Sequence, residues 1–289
     1  MNEQTALIVK KISDLPPLSA STLAIINMLS ADHFHMKELV NLIQQDVSLS
    51  TLCLKTVNSA AFGLSKPVDT IQRAVTFLGS QKLTELALKT SVGKIVKVRL
   101  AGYGAMEMDL WEHSLKSAIA ARLIGPNIDP NLNADLAYAL ALTHDIGKVV
   151  FSALLEVKVR ELQKAQGQQT NFLAIESDLF QCNHAEVGAM LAREWNLPQV
   201  FIDVIAHHHT PSLCPAPHRS LALVVHLADL LAMLSGTGTG VDSLYYELDP
   251  LALDLIERDA RWHEEEIWKL ILNLNYEFNL VLQNEAMAS

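Results

Sequence analysis

Apolar residues recur along most of the chain with the spacing of helices that bury one face or, in places, their whole circumference. This spacing predicts helices at residues 19–29, 36–44, 48–57, 68–77, 80–91, 109–124, 134–148, 151–166, 172–194, 199–206, 220–234 and 264–283. No segment of the sequence shows the convincing alternation of apolar and polar residues that is typical of strands. The pattern therefore predicts an all-α fold, built as a multi-helix bundle.

Glycine-rich turns divide the predicted helices into three parts. Gly102-Tyr103-Gly104 marks a flexible joint, and the stretch 236–240 is interpreted as a linker because it lacks the spacing of a phosphate-binding loop. The predicted parts are an N-terminal helical lobe (1–100), a second helical lobe (101–235) and a C-terminal helical extension (236–289). His33 and His35 are isolated in the first part, which we expect to be a packing or recognition lobe without metal ligands.

Composition narrows the class of protein. A chain of 289 residues with 50% hydrophobic content can bury a large core as one or two domains. The net charge of −10 argues against general affinity for nucleic acid or an anionic membrane. The cysteines form neither a disulfide framework nor a zinc knuckle. Because no signal pattern or membrane-spanning apolar run is present, we expect a soluble, cytoplasmic protein.

Three titratable side chains lie close together in residues 142–148, at the end of an apolar helical run. On a continuous helix, His144 and Lys148 would share a face, whereas His144 and Asp145 would diverge by roughly 100°. These two side chains could converge only on something close to the helix, such as a metal ion. An imidazole and a carboxylate that can bridge two ions suit such a site. The alternative is a surface His-Asp ion pair at a helix end.

Further histidines and one aspartate are candidate ligands for the same site. Most of the eleven histidines lie after residue 112. His113 borders the apolar face of its helix, where a histidine is more often an ordinary core residue than a ligand. His184 is surrounded by small residues that would let an ion or another helix approach. Asp229 lies in an apolar helix, three residues after His226, and needs a partner if buried. Consecutive histidines at a helix end complete the set: His207, His208 and His209.

The ordered series His113, His144-Asp145, His184, His208-His209 and Asp229 resembles the HD superfamily of metal-dependent phosphohydrolases, and most closely its HDOD branch. Turns in the first half, at Asn58-Ser59-Ala60, Phe62-Gly63 and Leu78-Gly79, resemble recurring turns of that branch. The resemblance covers residues 12–232. It implies an HD/HDOD-type bundle with an N-terminal helical lobe and a metal-binding lobe, and HDOD domains are usually regulatory.

The resemblance implies two divalent transition-metal ions bridged by Asp145. His113, His144 and Asp229 would complete one ligand shell. The other shell would contain His184, His208 and His209, with His207 as the alternative for one of that pair. The mixed imidazole and carboxylate set suits iron or manganese, with zinc or nickel as alternatives, better than calcium.

One departure from the family narrows the substrate. After the paired histidines, the catalytic HD-GYP relatives carry an acidic residue and a Gly-Tyr-Pro loop. This chain continues with Thr210-Pro211-Ser212 and has no such loop in its sequence, which argues against hydrolysis of cyclic di-GMP.

Two functions of different class follow from the sequence. The first is a metal-dependent phosphohydrolase acting on a nucleotide or similar phosphoester, with Asp145 and Lys148 as its catalytic residues and Lys148 holding a phosphate. The second is a non-catalytic signalling module with a structural metal site that docks a protein partner. For Lys148 the simpler alternative is a charge that interacts with the C-terminal end of its own helix.

Overall fold

The structure, a computed structural model, describes residues 3–30, 36–158, 161, 171–243 and 246–288, and no strand occurs among them. The α-helices are α1 (Glu3–Ser13), α2 (Ala20–Ser30), α3 (Met36–Gln45), α4 (Val47–Val57), α5 (Ile71–Val96), α6 (Asp109–Ile128), α7 (Ala134–Thr143), α8 (Gly147–Val157), α9 (Phe172–Phe180), α10 (His184–Glu194), α11 (Gln199–His207), α12 (Arg219–Leu234), α13 (Pro250–Arg258) and α14 (Glu264–Ala288). Short 3₁₀ turns connect several of them. The predicted all-α fold is confirmed.

Two hydrophobic cores meet along α5. The smaller core lies between α2, α3, α4 and the first half of α5, and includes Leu39, Ile43 and Leu49. The larger core takes the second half of α5 and the helices that follow. Helix α1 also joins this core, where it packs against α8 and α10. The division of the chain at residues 100 and 235 stays a prediction.

Helices α6, α7 and α12 form the centre of the larger core, since α6 packs along both of the others. Every residue of α7 from Leu136 to Thr143 is buried. This agrees with the uniformly apolar pattern of the sequence there, because a helix that is hydrophobic all round must be enclosed by its neighbours. The end of this buried helix carries the predicted site.

The prediction of one continuous helix over residues 134–148 is wrong. Helix α7 ends at Thr143 and α8 begins at Gly147. Between them the amide of Ile146 bonds the carbonyl of Thr143 at 3.1 Å, and the amide of Lys148 bonds that of Asp145 at 2.9 Å. These are i to i+3 bonds, which tighten the backbone and redirect it. Lys148 therefore lies in the first turn of a second helix.

The predicted long helix at residues 172–194 is also interrupted. Gln181 adopts a left-handed conformation with φ of 59°, which ends α9. Asn183 then caps α10 by accepting a hydrogen bond from the amide of Glu186, whose side chain bonds back to Asn183. This capping box was visible in the sequence as Asn-x-x-Glu, and it places His184 at the start of a helix.

Other predicted boundaries have mixed outcomes. The predicted separation at Leu78-Gly79 is present as a kink within α5, where Gly79 has a φ of 68°. Helix α8 ends at Val157, short of the predicted end at residue 166, and residues 159–160 and 162–170 lie outside the described residues. The predicted flexible joint at Gly102-Tyr103-Gly104 is instead a 3₁₀ turn in which Tyr103 is fully buried.

Within the part of the chain that the structure describes, one segment is long and apolar enough, by length and composition alone, to cross a membrane. It is Ala216–Leu234, with a mean hydropathy of 1.2, and 56% of its apolar window is buried inside the fold. His226 and Asp229 in this segment are buried as well. Helix α12 packs against α6 and contributes apolar residues of this segment to the larger core.

We expect Gly147→Ala to destabilise the fold, because a Cβ at Gly147 would overlap the carbonyl oxygen of His184 and the backbone of Gly188. Backbone cannot yield as a flexible side chain does, so the expected loss in unfolding free energy is about 1–3 kcal/mol. Gly125→Ala is the matched control, since its Cβ would meet side chains and no backbone: the flexible end of Leu132 at 3.2 Å, and Val224 and Ala137 at ordinary contact distances of 3.8 and 3.9 Å. Urea denaturation that finds Gly147→Ala as stable as Gly125→Ala would contradict this account.

Candidate metal centre

The structure brings all seven predicted ligands into one buried cluster. None of them is more than 5% exposed: His113, His144, Asp145, His184, His208, His209 and Asp229. They come from five separate regions of the chain, on α6, the α7–α8 turn, α10, the end of α11 and α12. The alternative of a surface His-Asp pair is wrong, because His144 and Asp145 are enclosed by these helices.

One group of ligand atoms surrounds one oxygen of Asp145. His144 Nε2 lies 3.4 Å and His113 Nε2 lies 3.7 Å from Asp145 Oδ2. Asp229 Oδ1 closes this group, at 3.0 Å from His113 Nε2 and 3.7 Å from His144 Nε2.

A second group surrounds the other oxygen of the same carboxylate. His184 Nε2 lies 3.4 Å and His208 Nε2 lies 3.6 Å from Asp145 Oδ1. His209 Nε2 lies 3.1 Å from His184 Nε2. Asp145 is therefore the residue that the two groups share, as a bridging ligand would be.

The cluster fits a metal on two independent observations. Ligand atoms that each lie ~2.1 Å from one ion are separated by roughly 3.0–3.4 Å, which is close to the separations in both groups. His113 Nε2, His144 Nε2 and His208 Nε2 are also buried without a well-formed hydrogen bond. Such atoms are costly unless something else satisfies them. The buried His and Asp side chains could thus hold a metal ion.

The structure orders the three consecutive histidines. His208 and His209 point into the cluster, whereas His207 is half-buried and belongs to neither group of candidate ligand atoms. Helix α11 ends at His207, and the turn that follows carries the next two side chains inward. Every candidate group found among the described residues lies after residue 112; His33 and His35 lie outside those residues.

The far nitrogen of most imidazoles is held by a backbone carbonyl. His144 Nδ1 donates to Ala141 O, and His208 Nδ1 donates to Ile205 O, both at 2.7 Å. His113 Nδ1 donates to Thr237 O at 3.0 Å. Each bond fixes the tautomer that leaves Nε2 free to face the cluster.

His184 is held by a carboxylate that the sequence analysis missed. Glu176 on α9 is fully buried, and its Oε2 accepts hydrogen bonds from both the backbone amide and Nδ1 of His184, at 2.8 Å each. The Tyr103 hydroxyl donates to Glu176 Oε1 at 2.5 Å. The sequence predicted one straight helix over 172–194, in which Glu176 and His184 would be too far apart to form a hydrogen bond. Their contact across the turn between α9 and α10 was therefore not predicted.

His226, which precedes Asp229 by one helical turn, has a supporting position. Its Nδ1 donates to His208 O at 2.9 Å, and its Nε2 accepts from the amide of Asp249 at 3.2 Å. The ring therefore anchors the turn that presents His208 and does not join the candidate ligands.

Lys148 is fully enclosed beside the cluster. Its ammonium forms ion pairs with Asp145 at 2.7 Å and Asp242 at 2.6 Å, and it donates to the hydroxyl of Thr239 at 2.8 Å. The alternative in which Lys148 interacts with the C-terminal end of its own helix is wrong, because it begins α8. The predicted contact with a ligand anion stays a prediction.

The interpretation of residues 236–240 as a linker is wrong. Thr237 and Thr239 bond His113 and Lys148, so this stretch lies against the cluster. Its glycines gave the appearance of a spacer, but Gly240 is needed for close packing, because a Cβ there would overlap the carbonyl oxygen of Tyr103. Because residues 236–240 were interpreted as a linker, Asp242, which follows them, was not predicted to be part of the site.

Comparison with known proteins decides the family. Residues 15–211 match the HDOD domain family. The chain belongs to this family. A protein of Treponema pallidum (strain Nichols), itself uncharacterized, is 32% identical over 230 residues, which cover 78% of this chain. The aligned region spans only 43% of that relative's length.

Solved structures share the fold of this HDOD protein. An HDOD domain protein of unknown function from Geobacter sulfurreducens has a TM-score of 0.68 at 23% identity, with 99% of this chain and 97% of that one covered. A "Putative phosphohydrolase" from Shewanella amazonensis SB2B has a TM-score of 0.62 at 19% identity, with 98% and 96% covered. At these identities the likeness establishes the fold alone.

Buried carboxylates determine part of the charge in the HDOD cluster. Burial opposes ionisation of Asp145, but Lys148 and His144 beside it hold the pKa of this carboxyl well below its usual range. Burial also disfavours a charged His144, yet Asp145 and Asp229 raise the pKa of that imidazole to about 10. At neutral pH, when no metal competes, both ring nitrogens of His144 are therefore protonated and the imidazole is positively charged.

The three histidines of the second group differ in the direction of their pKa shifts. Burial opposes a charge on His184, but Glu176 raises the pKa of this imidazole to about 9. Burial lowers the pKa of His208 to about 4. Burial and the charges of His208 and His184 lower the pKa of His209 well below its usual range. One imidazole in this group is protonated at neutral pH, and two are ready to coordinate.

We predict that metal binding releases protons, since His144 and His184 must be neutral to coordinate. Raising the pH removes these competing protons, so the metal affinity should increase, by up to about tenfold per pH unit for each proton released, below the raised pKa values. Calorimetry in buffers of different ionisation enthalpy measures the proton release directly. A dissociation constant that does not change between about pH 6 and 8 would refute it.

We expect Glu176→Gln to lower metal affinity by about 10–100-fold, because it removes the charge that orients His184. Glu194→Gln is the matched control, since Glu194 is exposed on the same helix as His184. Metal titration, together with a circular dichroism check of folding, makes the comparison. Equal affinity in the two variants would show that Glu176 serves the fold and not the metal.

Proposed function

We propose that this HDOD protein binds two divalent transition-metal ions in the cluster and hydrolyses a phosphoester, such as a nucleotide. The observation that supports the proposal most is the pair of ligand groups that share Asp145, since two-ion sites are typical of phosphoester hydrolysis. The chemistry of the donors favours iron or manganese, with zinc or nickel as alternatives.

Ions held there would supply Lewis acidity, which polarises a phosphoryl oxygen and lowers the pKa of a water. The protein's own contribution is positioning and charge. Asp145 would hold both ligand groups together through its two oxygens. Lys148 is adjacent to Asp145, and its ammonium would bind a phosphate oxygen as a point charge. The deep burial of both residues would exclude bulk water and strengthen these interactions.

A second candidate function is a regulatory module in which the metal is structural and the protein docks a partner in bacterial-type signalling. It is favoured by the burial of the site, because Lys148 is only 2% exposed and already forms ion pairs with two carboxylates. Both functions are compatible with a cytoplasmic protein. Neither requires general binding to nucleic acid or to a membrane.

Metal analysis of the purified protein tests the first step of the proposal. We expect bound transition metal in the wild type and loss of most of it in Asp145→Ala, because this carboxylate is assigned to both ions. His207→Ala is the matched control and should keep its metal, since His207 belongs to neither ligand group. A wild-type protein that binds no metal after metal-supplemented expression would overturn the proposal.

Turnover of a phosphoester panel by the metal-loaded protein separates the two functions. Hydrolysis of one compound, absent in Asp145→Ala and retained in His207→Ala, is the expected result. A fully metal-loaded wild type that hydrolyses none of the panel would favour the regulatory module. In that case metal binding should still stabilise the fold against heat, because ions that bind only the folded state raise its stability.

A further inference from the structure

Residues 236–243, here named the strap, lie across the cluster after leaving α12. Thr237 O accepts from His113 Nδ1 at 3.0 Å, and the Thr237 hydroxyl donates to Ala232 O at 3.1 Å. The amide of Val241 donates to Tyr103 O at 2.8 Å. The strap is thus fastened at one end beside His113 and at the other against the Tyr103 turn.

The strap also places a carboxylate, that of Asp242, next to the cluster. Asp242 is 0% exposed and lies 2.6 Å from the Lys148 ammonium. The Thr239 hydroxyl accepts from Lys148 at 2.8 Å and can donate to either oxygen of Asp242, at 3.1 Å. The Tyr246 hydroxyl donates to Asp242 Oδ2 at 2.6 Å, and its ring stacks on His209 at 4.0 Å.

These contacts surround the Lys148 ammonium with oxygen atoms of the protein itself. An ammonium group has three N–H donors. In Lys148 one N–H donates to the Thr239 hydroxyl, and the ammonium forms ion pairs with Asp145 and Asp242. Asp145 belongs to the cluster itself, whereas Asp242 reaches Lys148 only because the strap carries it there. An oxygen of Asp242 therefore takes the place on Lys148 that an oxygen of a bound phosphate would need.

We propose that Asp242 is an internal competitor for the anion position on Lys148, so that a phosphate group binds only when the strap moves away. This inference rests on the proposed function, because it concerns how a phosphoester reaches the same site. It accounts for a complete set of candidate ligands in a site that is closed. An anion on the ligand would exchange for the carboxylate of Asp242, leaving the charge of Lys148 balanced throughout.

Two glycines of the strap suit such a movement. Gly236 has a φ of 92° and Gly240 a φ of 115°. Glycine crosses between positive and negative φ without the penalty that other residues meet. Departure of the strap would also remove Thr237 O from His113, so the closed and open forms would differ at a candidate ligand. The competing view is that Lys148 and Asp242 are a permanent structural pair.

Titration of inorganic phosphate against the full-length protein distinguishes the two views. Asp242→Asn keeps the shape of the side chain but removes its charge, and Lys148 retains Asp145 and Thr239 as partners. We expect phosphate to bind this variant about tenfold or more tightly than wild type, because the apparent dissociation constant scales inversely with the fraction of open protein. Unchanged or weaker binding in folded Asp242→Asn would overturn the proposal.

Two further variants calibrate the effect. Tyr246→Phe keeps the ring on His209 but removes the hydrogen bond to Asp242, so phosphate affinity should rise by a smaller factor. Asp254→Asn is the matched control, because Asp254 is a half-buried acid on α13 that pairs with Arg258 and lies outside the cluster, and the phosphate affinity of this variant should equal that of wild type. An increase as large in Asp254→Asn would assign the effect to overall charge and overturn the proposal.

Hydrogen exchange of the wild type provides a test without any substitution. Saturating phosphate should speed exchange of the Val241 amide, whose bond to Tyr103 breaks when the strap leaves. Phosphate binding with no change at Val241 would refute the proposal.

The titrations are made on metal-free and metal-loaded protein, so that two failures can be told apart. Bound metal with phosphate affinity insensitive to Asp242 would refute the strap proposal and leave the metal proposal intact. Absent metal with tighter phosphate binding in Asp242→Asn would do the reverse.

Discussion

The helices of the larger core are arranged around one constraint, the buried carboxylate of Asp145. An ionised carboxylate that is 1% exposed is strongly unfavourable unless compensating charges and donors surround it. Here three imidazoles and the Lys148 ammonium lie within 3.6 Å of its two oxygens. These groups come from α8, α10, the turn between α7 and α8, and the turn after α11. The helices must therefore converge on one point for the core to close.

Two interruptions of helical geometry make this convergence possible. The turn at residues 144–146 releases His144 and Asp145 from a straight helix, so both can face the same space while Lys148 returns from the next helix. Glycine at 147 then lets α8 approach the backbone of α10 at Gly188. Close packing of these backbones brings His184 to the shared carboxylate. The local departures from regular structure thus coincide with the candidate functional residues, as is common in proteins.

The cluster is connected to both flanking parts of the chain. Arg122 lies on α6, the helix that carries His113, and pairs with Glu85 of α5 at 2.6 Å, so the N-terminal helices contact a helix of the site directly. On the other side, Asp242 ties the beginning of the C-terminal extension to Lys148. The candidate metal centre therefore contacts both flanking parts of the chain through ion pairs.

Residue types and their order determined much of this protein by themselves. Apolar periodicity specified helices, the uniformly apolar run before His144 specified burial, and the resemblance of the series from His113 to Asp229 to the HDOD family indicated which side chains would meet. Periodicity could not specify where a helix bends. The turn at 144–146 retains helix-compatible residues and depends on i to i+3 bonds, and the break at 181–183 depends on a left-handed Gln181 and the capping box of Asn183. Tertiary structure alone decided the roles of Glu176 and Asp242. Each reaches its partner by folding back across space, and no spacing along the chain records a contact of that kind.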